Sequence, residues 1–409
     1  MKQKSPAILK ASVGRRAFLN GLAGAGAAFA KMTGFAPLAL AQNDAIRIGW
    51  IRATTGKAAS TYAPIFSGGL VALDEINERG GILGRKVEPY EVDDEGSPST
   101  QPAVVRRLVE QTINVAVGPG GSSQGLASLA ATTPAKIVSA AYALSDDFGD
   151  AARYPYHYQF ILNTRAQAEA TVRYLVEKRG VKKIGILQEQ TAFGEALTKN
   201  TIEYLSKHEL KPTAVQTVPL APTAVLPNVD NIRKSGAEAV CAWVSLLPAY
   251  GMTFKALADL DWAPVLCCHL SALSDKLFEM APDKVFENAV ATSYATLTWT
   301  ANEPIGQRQS TYLDKIRAKP DMAGREPIAM MAPFYDFLHA IKLVAEEKKS
   351  LDSDALKAGL DALVNYDGML GRISFSATNH SGLSAENIAL AKLLSARDAR
   401  AHGAFRERA

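Results

Sequence analysis

The sequence predicts an α/β protein built from two doubly wound lobes, and three observations carry that prediction. Short apolar runs rich in β-branched residues alternate with segments of helical periodicity along most of the 409 residues, which is typical of parallel strands connected by helices. The alternation starts again after residue 160, so two sheets fit it better than one long sheet. With 47% hydrophobic residues, the chain has enough apolar material for two cores.

The first half of the alternation supplies four predicted strands, each a short apolar run bounded by turn residues. They cover residues 45–51, 86–92, 113–117 and 137–142. Between the first two strands, Phe66, Leu70, Leu73 and Ile76 recur at near-helical spacing and predict a helix that Gly80 and Gly81 end. Ser97 and Pro98 predict the next helix start, and its expected buried face is Val104, Val105, Leu108 and Val109.

The second half repeats the pattern, and later helices complete the layers. The predicted strands cover residues 183–188, 213–218, 239–244, 264–268 and 371–375. The predicted helices cover residues 163–179, 193–208, 249–260, 307–318 and 327–347. In open α/β sheets, ligands sit beyond the carboxyl ends of the strands. The corresponding loops are 54–62, 118–124, 140–143, 188–193, 245–250 and 268–271.

Charge and targeting features point to an exported protein. Six of the 45 basic residues and no acidic residue lie in the first 41 positions, which leaves 39 basic against 41 acidic residues and gives no reason to expect nucleic acid or a membrane surface. Arg15-Arg16-Ala17-Phe18-Leu19 precedes a weakly apolar segment, and Ala39-Leu40-Ala41 offers a cleavage site. We predict a twin-arginine-like signal at 1–41, removed near Ala41, with an ordinary secretory signal as the alternative. The mature protein is expected to be periplasmic.

The candidate chemistry is ligand binding without catalysis, cofactor or metal. The signatures G-x-S-x-G, H-E-x-x-H and the P-loop are absent from the sequence. Cys241, Cys267 and Cys268 lack metal-ligand spacing and are predicted to be buried free thiols. Asp93 and Asp94 are predicted to be solvated or to cap a turn. An exported hydrolase is therefore a weak alternative.

The loop from Gly118 to Gln124 is the strongest candidate for a ligand anchor. It follows a buried strand, and Ser122 and Ser123 suit the N-cap of the next helix. Free backbone N–H groups and a partial positive charge collect at such a helix start. A ligand oxygen could be held there without a charged side chain.

Several motifs in this order resemble the type I periplasmic substrate-binding proteins of ABC importers, in the leucine/isoleucine/valine-binding branch. The most specific is the INxxGGxxGRxVE…DD block, here Ile76 to Asp94; others are VAVGPGGSSQG, IGILQEQTAFGEALTKN and VSLLPAYGMTFKALADL. The resemblance covers essentially the whole mature chain. It implies two Rossmann-like lobes joined by a three-crossover hinge that closes around a ligand. The implied bounds are 45–160 plus 296–370 for lobe 1, 371–395 plus 161–295 for lobe 2, and 396–409 for a C-terminal tail.

The resemblance also implies ligand-binding positions. In the first lobe these are Ser122, Ser123, Ala141, Tyr142 and Ala143, and in the second lobe they are Phe193, Leu247 and His269, with Ser271 in place of His269 if the alignment slips. Packing roles remain open for Tyr142 and Phe193, and a structural role remains open for His269. Trp299 and Phe334 are weaker candidates for packing a ligand ring.

Where the amino-acid binders place a hydroxyl, a tyrosine and an acid, this chain has Ala143, Phe193 and His269. A buried ammonium needs a carboxylate or several acceptors, and these residues supply at most one acceptor. We therefore expect an aromatic or hydrophobic carboxylate, such as a benzoate- or phenylpropanoid-type acid, rather than an α-amino acid. A branched-chain amino acid or small amide is the alternative ligand.

The expected partners are this ligand and an ABC permease in the inner membrane, for a protein expected to be monomeric. A ligand sensor acting on a membrane receptor fits the sequence equally well.

Overall fold

Two separate β-sheets organise the computed structural model, which describes residues 45–319, 328–397 and 404–409. The predicted export signal lies outside these residues. The first sheet has the order β2-β1-β3-β4, and all of its pairings are parallel. Its strands are β1 (Ile46–Arg52), β2 (Val87–Asp93), β3 (Val115–Gly120) and β4 (Val138–Tyr142). These four strands match the predicted ones to within a few residues.

The second sheet has six strands in the order β13-β9-β8-β7-β5-β6, and only the β13–β9 pair is antiparallel. Its strands are β5 (Ile184–Glu189), β6 (Val215–Val218), β7 (Ala239–Trp243), β8 (Val265–Cys268), β9 (Ala289–Tyr294) and β13 (Ile388–Lys392). The prediction missed β9 and β13. The predicted strand 371–375 is instead β12 (Gly371–Ile373), which forms a hairpin with β11 (Tyr366–Gly368). A further two-stranded pair joins β10 (Thr298–Trp299) to β14 (Arg406–Glu407).

Helices cover the faces of both sheets, as expected for parallel strands buried on both sides. They are α1 (Ala59–Tyr62), α2 (Ser67–Glu78), α3 (Gln101–Glu110), α4 (Ser122–Thr132), α5 (Thr164–Arg173), α6 (Ala192–Lys207), α7 (Leu226–Lys234), α8 (Leu247–Asp259), α9 (Gln307–Arg317), α10 (Ala332–Lys348) and α11 (Ser353–Asp361). The predicted helix 163–179 is α-helical only to Arg173 and continues as a π-helical turn over Tyr174–Lys178.

One predicted buried position is wrong. Val104, Val105 and Leu108 of α3 are buried, but Val109 is 49% exposed, because one further residue rotates the side chain by about 100° away from the core face. The predicted cap is confirmed, since the Ser97 hydroxyl accepts a hydrogen bond from the Ser99 amide and Pro98 follows it.

The chain passes between the two sheets three times, after β4, after β9 and before β13. This is the predicted three-crossover connection of two Rossmann-like lobes. The implied lobe bounds themselves remain predictions. The stretch Ile328–Lys348 is long and apolar enough to span a membrane, but 83% of its most apolar window is buried inside the protein. This stretch is therefore part of the protein core.

Candidate functional site

A cavity of about 240 Å³ lies where loops from the two sheets meet. The loops follow β1, β2, β3 and β4 of the first sheet and β5, β6, β7 and β8 of the second, so the cavity sits beyond the carboxyl ends of both sets of parallel strands. Its lining residues are Tyr62, Gly96, Pro98, Gly121, Ser122, Ser123, Gln124, Tyr142, Leu144, Glu189, Gln190, Thr191, Phe193, Leu220, Ser245, His269, Ser271 and Met330.

On the first sheet, the β3–α4 loop presents a helix start to the cavity. The N-cap is Gly121, with φ +95°, and no side chain caps the helix. The prediction that a serine is the cap is therefore wrong, because Ser122 and Ser123 already belong to the first helical turn. Since the first amides of a helix have no intrahelical acceptor, an uncapped start leaves these N–H groups available to a ligand.

Close packing fixes this loop as glycine. A Cβ on Gly121 would lie 2.4 Å from Gln124 Oε1 and 2.9 Å from the Tyr62 hydroxyl, and a Cβ on Gly120 would lie 2.7 Å from the Tyr62 ring. Backbone and Tyr62 ring are therefore in direct contact at the edge of the cavity.

The two serine hydroxyls of α4 accept protein hydrogen bonds in different places. Ser122 Oγ accepts from the amides of Leu144 and Ser145 at 3.0 and 3.1 Å, which ties α4 to the loop after β4. Ser123 Oγ accepts from the amide of Ala192 at 3.2 Å. Ala192 begins α6 beside the second sheet, so the Ser123 bond joins the two sides of the cavity. Both hydroxyls keep their own proton for donation.

Two further hydroxyls of the lining are buried and have no hydrogen-bond partner among the described residues. They are Tyr142 at the end of β4 and Ser271 after β8. Burial raises the pKa of Tyr142 well above its usual value, so the phenol stays protonated and can donate. Because unpaired buried polar groups are costly, these hydroxyls mark positions where a ligand atom would be a partner.

Glu189, the last residue of β5, is a buried carboxylate in the cavity that sequence reasoning did not single out. Its oxygens accept from the hydroxyl of Thr191 at 2.7 Å, and from the amide and hydroxyl of Ser245, each at 2.8 Å. Burial is the main cause that raises the pKa of Glu189. The cleft therefore holds an acidic side chain that is not among Ala143, Phe193 and His269, the residues on which the expectation against an ammonium rests.

His269 follows β8, lines the cavity and is 2% exposed. Its Nδ1 lies 2.8 Å from Gln167 Oε1, and its amide donates to the Tyr250 hydroxyl at 2.8 Å. Burial lowers the pKa of His269 to about 3, so the imidazole is neutral. Phe193 packs beside it with ring centroids 4.8 Å apart.

The structure thus brings Ser122, Ser123, Tyr142, Phe193 and His269 together around the cavity. Ala141, Ala143 and Leu247 do not line it.

The pleat explains the two alanines. Side chains alternate along a strand, so the neighbours of Tyr142 face away from the cavity and pack with Leu129 and Phe148. Leu247 is a half-buried residue at the start of α8, and Leu220 lines the cavity instead. Trp299 and Phe334 do not line the cavity either. Trp299 lies in β10 and pairs with Glu407 of β14, and Phe334 packs on Phe66 with ring centroids 5.1 Å apart.

Strand-end position was the signal for the residues that were missed. Tyr62, Glu189 and Ser245 all lie in or at the ends of loops that the sequence places beyond the strands. None of the cavity-lining residues in the described ranges is Lys or Arg. The cavity therefore offers neutral donors from one side and acceptors from the other, which suits reversible binding of a small polar-ended molecule.

Comparison with known proteins places the chain in a family. The family described as periplasmic binding protein matches residues 45–397. A relative from Rhizobium johnstonii, the Leu/Ile/Val-binding protein BraC3, is 30% identical over 40% of this chain, and the match spans only 44% of that relative's length. The Leu/Ile/Val-binding protein homolog 1 of Brucella suis is 23% identical over 78% of this chain and 83% of its own.

Solved structures share the fold at low identity. The branched-chain amino acid binding protein LivJ of Streptococcus pneumoniae, solved with isoleucine, has a TM-score of 0.74 at 20% identity, covering 85% of this chain and 96% of its own. A solute-binding protein of an ABC transporter from R. palustris, solved with 4-hydroxybenzoate, has a TM-score of 0.75 at 16% identity, covering 89% of this chain and 96% of its own. Together with the match over residues 45–397, these similarities show that the chain belongs to the periplasmic binding protein family.

Proposed function

We propose that this protein is the solute-binding receptor of an ABC importer, that it holds an aromatic or other hydrophobic carboxylate in the cleft between its lobes, and that it delivers this ligand to a membrane permease. Proteins of the family bind small ligands and work with ABC permeases. The observation that carries the ligand class is the uncapped start of α4 beside the Ser122 and Ser123 hydroxyls.

The chemistry of this helix start supports a carboxylate head. Backbone N–H groups, the helix dipole and hydroxyl donors together stabilise an anionic oxygen without a cationic side chain. Tyr62, Tyr142, Phe193 and Leu220 supply ring and aliphatic surface for an apolar body. Two structural relatives were solved with 4-hydroxybenzoate and with 3,4-dihydroxybenzoic acid, so the same fold accommodates such ligands.

A ligand panel tests the proposal. Benzoate, 4-hydroxybenzoate and cinnamate are expected to raise the melting temperature of the purified protein, while leucine, isoleucine and the uncharged control benzamide are not. A ligand at 100 times its Kd adds about 2.7 kcal/mol of stability, which a thermal-shift assay resolves. Stabilisation by leucine or isoleucine together with no response to any aromatic acid would show that the ligand class is wrong.

An amino acid is the second candidate, and Glu189 is the observation that favours it, because a buried carboxylate can pair with an ammonium. Three protein donors already occupy that carboxylate, which is why we rank this candidate second. Glu189→Gln separates the two. It should weaken an ammonium ligand by roughly tenfold or more, since it removes one partner of a buried charge pair.

The same Glu189→Gln substitution should leave the affinity for a carboxylate ligand within roughly threefold or improve it, because a nearby negative charge is removed. Isothermal titration calorimetry on both proteins gives the comparison. Glu203→Gln is the control for loss of an acidic side chain, because Glu203 is a half-buried residue of α6 that pairs with Arg165 and does not line the cavity.

Delivery to a permease has its own test, which also separates transport from sensing. A strain that lacks this protein should not grow on the identified ligand as its only carbon source, because the importer would receive no substrate. Unchanged growth and unchanged uptake of the labelled ligand would favour a sensor.

A further inference from the structure

His269 has a fixed tautomer that makes the second-sheet side of the cavity an acceptor. Its Nδ1 faces Gln167 Oε1 at 2.8 Å, and that oxygen can only accept, so the Nδ1 proton is donated to it. The remaining ring nitrogen, Nε2, therefore carries a lone pair. Gln167, on α5, thus determines which nitrogen of the cavity imidazole holds the proton.

The orientation of the Gln167 amide is itself fixed. Its Nε2 donates to the Asn163 carbonyl at 3.5 Å, and its Oε1 also accepts from the Thr292 hydroxyl at 3.1 Å. If the amide were flipped, its oxygen would face the Asn163 carbonyl, and two acceptors would oppose each other. Gln167, Thr292 and His269 are all buried, so these bonds are shielded from bulk solvent.

We propose that His269 makes this receptor selective for aromatic monocarboxylates that carry a ring hydroxyl away from the carboxylate, and that Gln167 is the positioning residue for that selectivity. This inference rests on the proposed function, since it takes the carboxylate to be held at the start of α4. The ligand hydroxyl donates to His269 Nε2. A second carboxylate at the same place meets a lone pair and the buried Glu189, and is rejected.

The surroundings of His269 agree with this role. Phe193 packs against the imidazole with ring centroids 4.8 Å apart and gives a ligand ring an apolar neighbour. Ser271, two residues further, has a buried hydroxyl without a partner in the described part of the chain. The second-sheet side can therefore pair with the ligand hydroxyl both as acceptor and as donor. A site built to bond a hydroxyl discriminates strongly against analogues that lack it.

The first test uses the intact mature protein and four ligands. Affinities for benzoate, 3-hydroxybenzoate, 4-hydroxybenzoate and terephthalate are measured by isothermal titration calorimetry, with 2-hydroxybenzoate as a control that has the same groups with its hydroxyl next to the carboxylate. We expect one of the 3- or 4-hydroxy acids to bind roughly tenfold or more tightly than benzoate, and terephthalate to bind more weakly than benzoate.

The outcomes separate this inference from the proposed function. If benzoate and both hydroxy acids bind with equal affinity, the selectivity inference is wrong while the proposed function stands. If no aromatic acid binds, the proposed function is wrong and the inference is wrong with it.

Two variants test the residues. His269→Phe removes the acceptor and should bring the 3- and 4-hydroxy acids to the affinity of benzoate. Gln167→Glu places a carboxylate beside Nδ1, which favours the imidazolium and turns Nε2 into a donor. Selectivity should then invert, with terephthalate gaining and the hydroxy acids losing affinity.

A purely structural role of Gln167 would lower all affinities together and would not invert their order. An unchanged preference for the hydroxy acid in either folded variant would overturn the proposal. Should His269→Phe fail to fold, the wild-type panel and Gln167→Glu still decide the question.

Discussion

The two sides of the cavity differ in the polarity of what they present. On the first sheet, the donor wall (Gly121–Gln124 at the start of α4) offers backbone amides and two serine hydroxyls. On the second sheet, the acceptor wall (Glu189 and His269) offers a carboxylate and an imidazole lone pair. Under the proposed function, closure of the lobes brings these complementary sides together around the ligand. The proposed ligand, with an anionic end and a hydroxyl end, matches both sides.

The largest expected effect concerns acid stability and arises on the acceptor wall. Burial lowers the pKa of His269 to about 3, below the 6.5 of the unfolded chain. Between these values the unfolded state binds a proton that the folded state does not, so stability is lost as pH falls through this window. At pH 4.5 the loss from this residue approaches about 3 kcal/mol.

Urea denaturation of wild type and His269→Gln at pH 7.5 and 4.5 measures this loss. The variant should lose less stability on acidification. His157→Gln is the matched control, because burial also lowers the pKa of His157 to about 3 and His157 does not line the cavity. Both variants should have the shallower acid limb, but only His269→Gln should change ligand selectivity. Equal acid sensitivity of wild type and both variants would contradict a neutral buried imidazole.

The next effect breaks the donor wall. Gly121→Ala places an L side chain at φ +95°, which is strained, and its Cβ meets the ends of the Gln124 and Tyr62 side chains, so we expect the loop and these side chains to leave their present arrangement. We expect an affinity loss of roughly 100-fold, because misplaced donors no longer match the ligand oxygen. Calorimetry with the best ligand of the panel measures the loss.

Gly80→Ala is the control for Gly121→Ala. Gly80 also has a positive φ, +88°, and has open space around a Cβ, so Gly80→Ala introduces an L side chain at a positive φ without a steric clash and outside the cavity lining. Equal affinities of the two variants would show that the Gly121 loop does not hold the ligand.

The smallest effect concerns the bond that joins the walls. Ser123→Ala removes the acceptor of the Ala192 amide and should destabilise the closed form by about 0.5–1.5 kcal/mol, which weakens ligand binding by roughly two- to tenfold. Small-angle scattering of the liganded protein should show a larger open fraction.

Ser122→Ala is the contrast for Ser123→Ala, because its hydroxyl accepts only within the first-sheet side, from Leu144 and Ser145. It should lower the melting temperature more than it lowers affinity. If Ser123→Ala weakens ligand binding no more than Ser122→Ala does, the Ser123 bond contributes nothing to closure.

The fold was predictable because buried parallel strands leave continuous apolar runs in the sequence. β9 was missed although it is an apolar run. β13 was missed because it is an antiparallel strand at a sheet edge and ends in Lys392. In the cavity, loop position and family positions identified Ser122, Ser123, Tyr142, Phe193 and His269 as candidates, and their ligand contacts remain predictions.

Other features of the cavity depend on the three-dimensional fold and could not be predicted from the sequence. Glu189 was overlooked because a carboxylate at a strand end is ordinary in sequence, and only the fold shows that it is buried against Ser245. The His269 tautomer depends on Gln167, which is 102 residues away along the chain.

The three cysteines give the second sheet a built-in kinetic reporter. Cys241, Cys267 and Cys268 are the only cysteines of the chain, all are free and buried, and Cys241 lies opposite Cys267 on the neighbouring strand. Burial raises the pKa of each thiol, so reaction with a thiol reagent requires the sheet to open. The labelling rate of the intact protein therefore measures how often this half of the molecule exposes its core. A ligand that bridges both halves should lower the rate of thiol labelling.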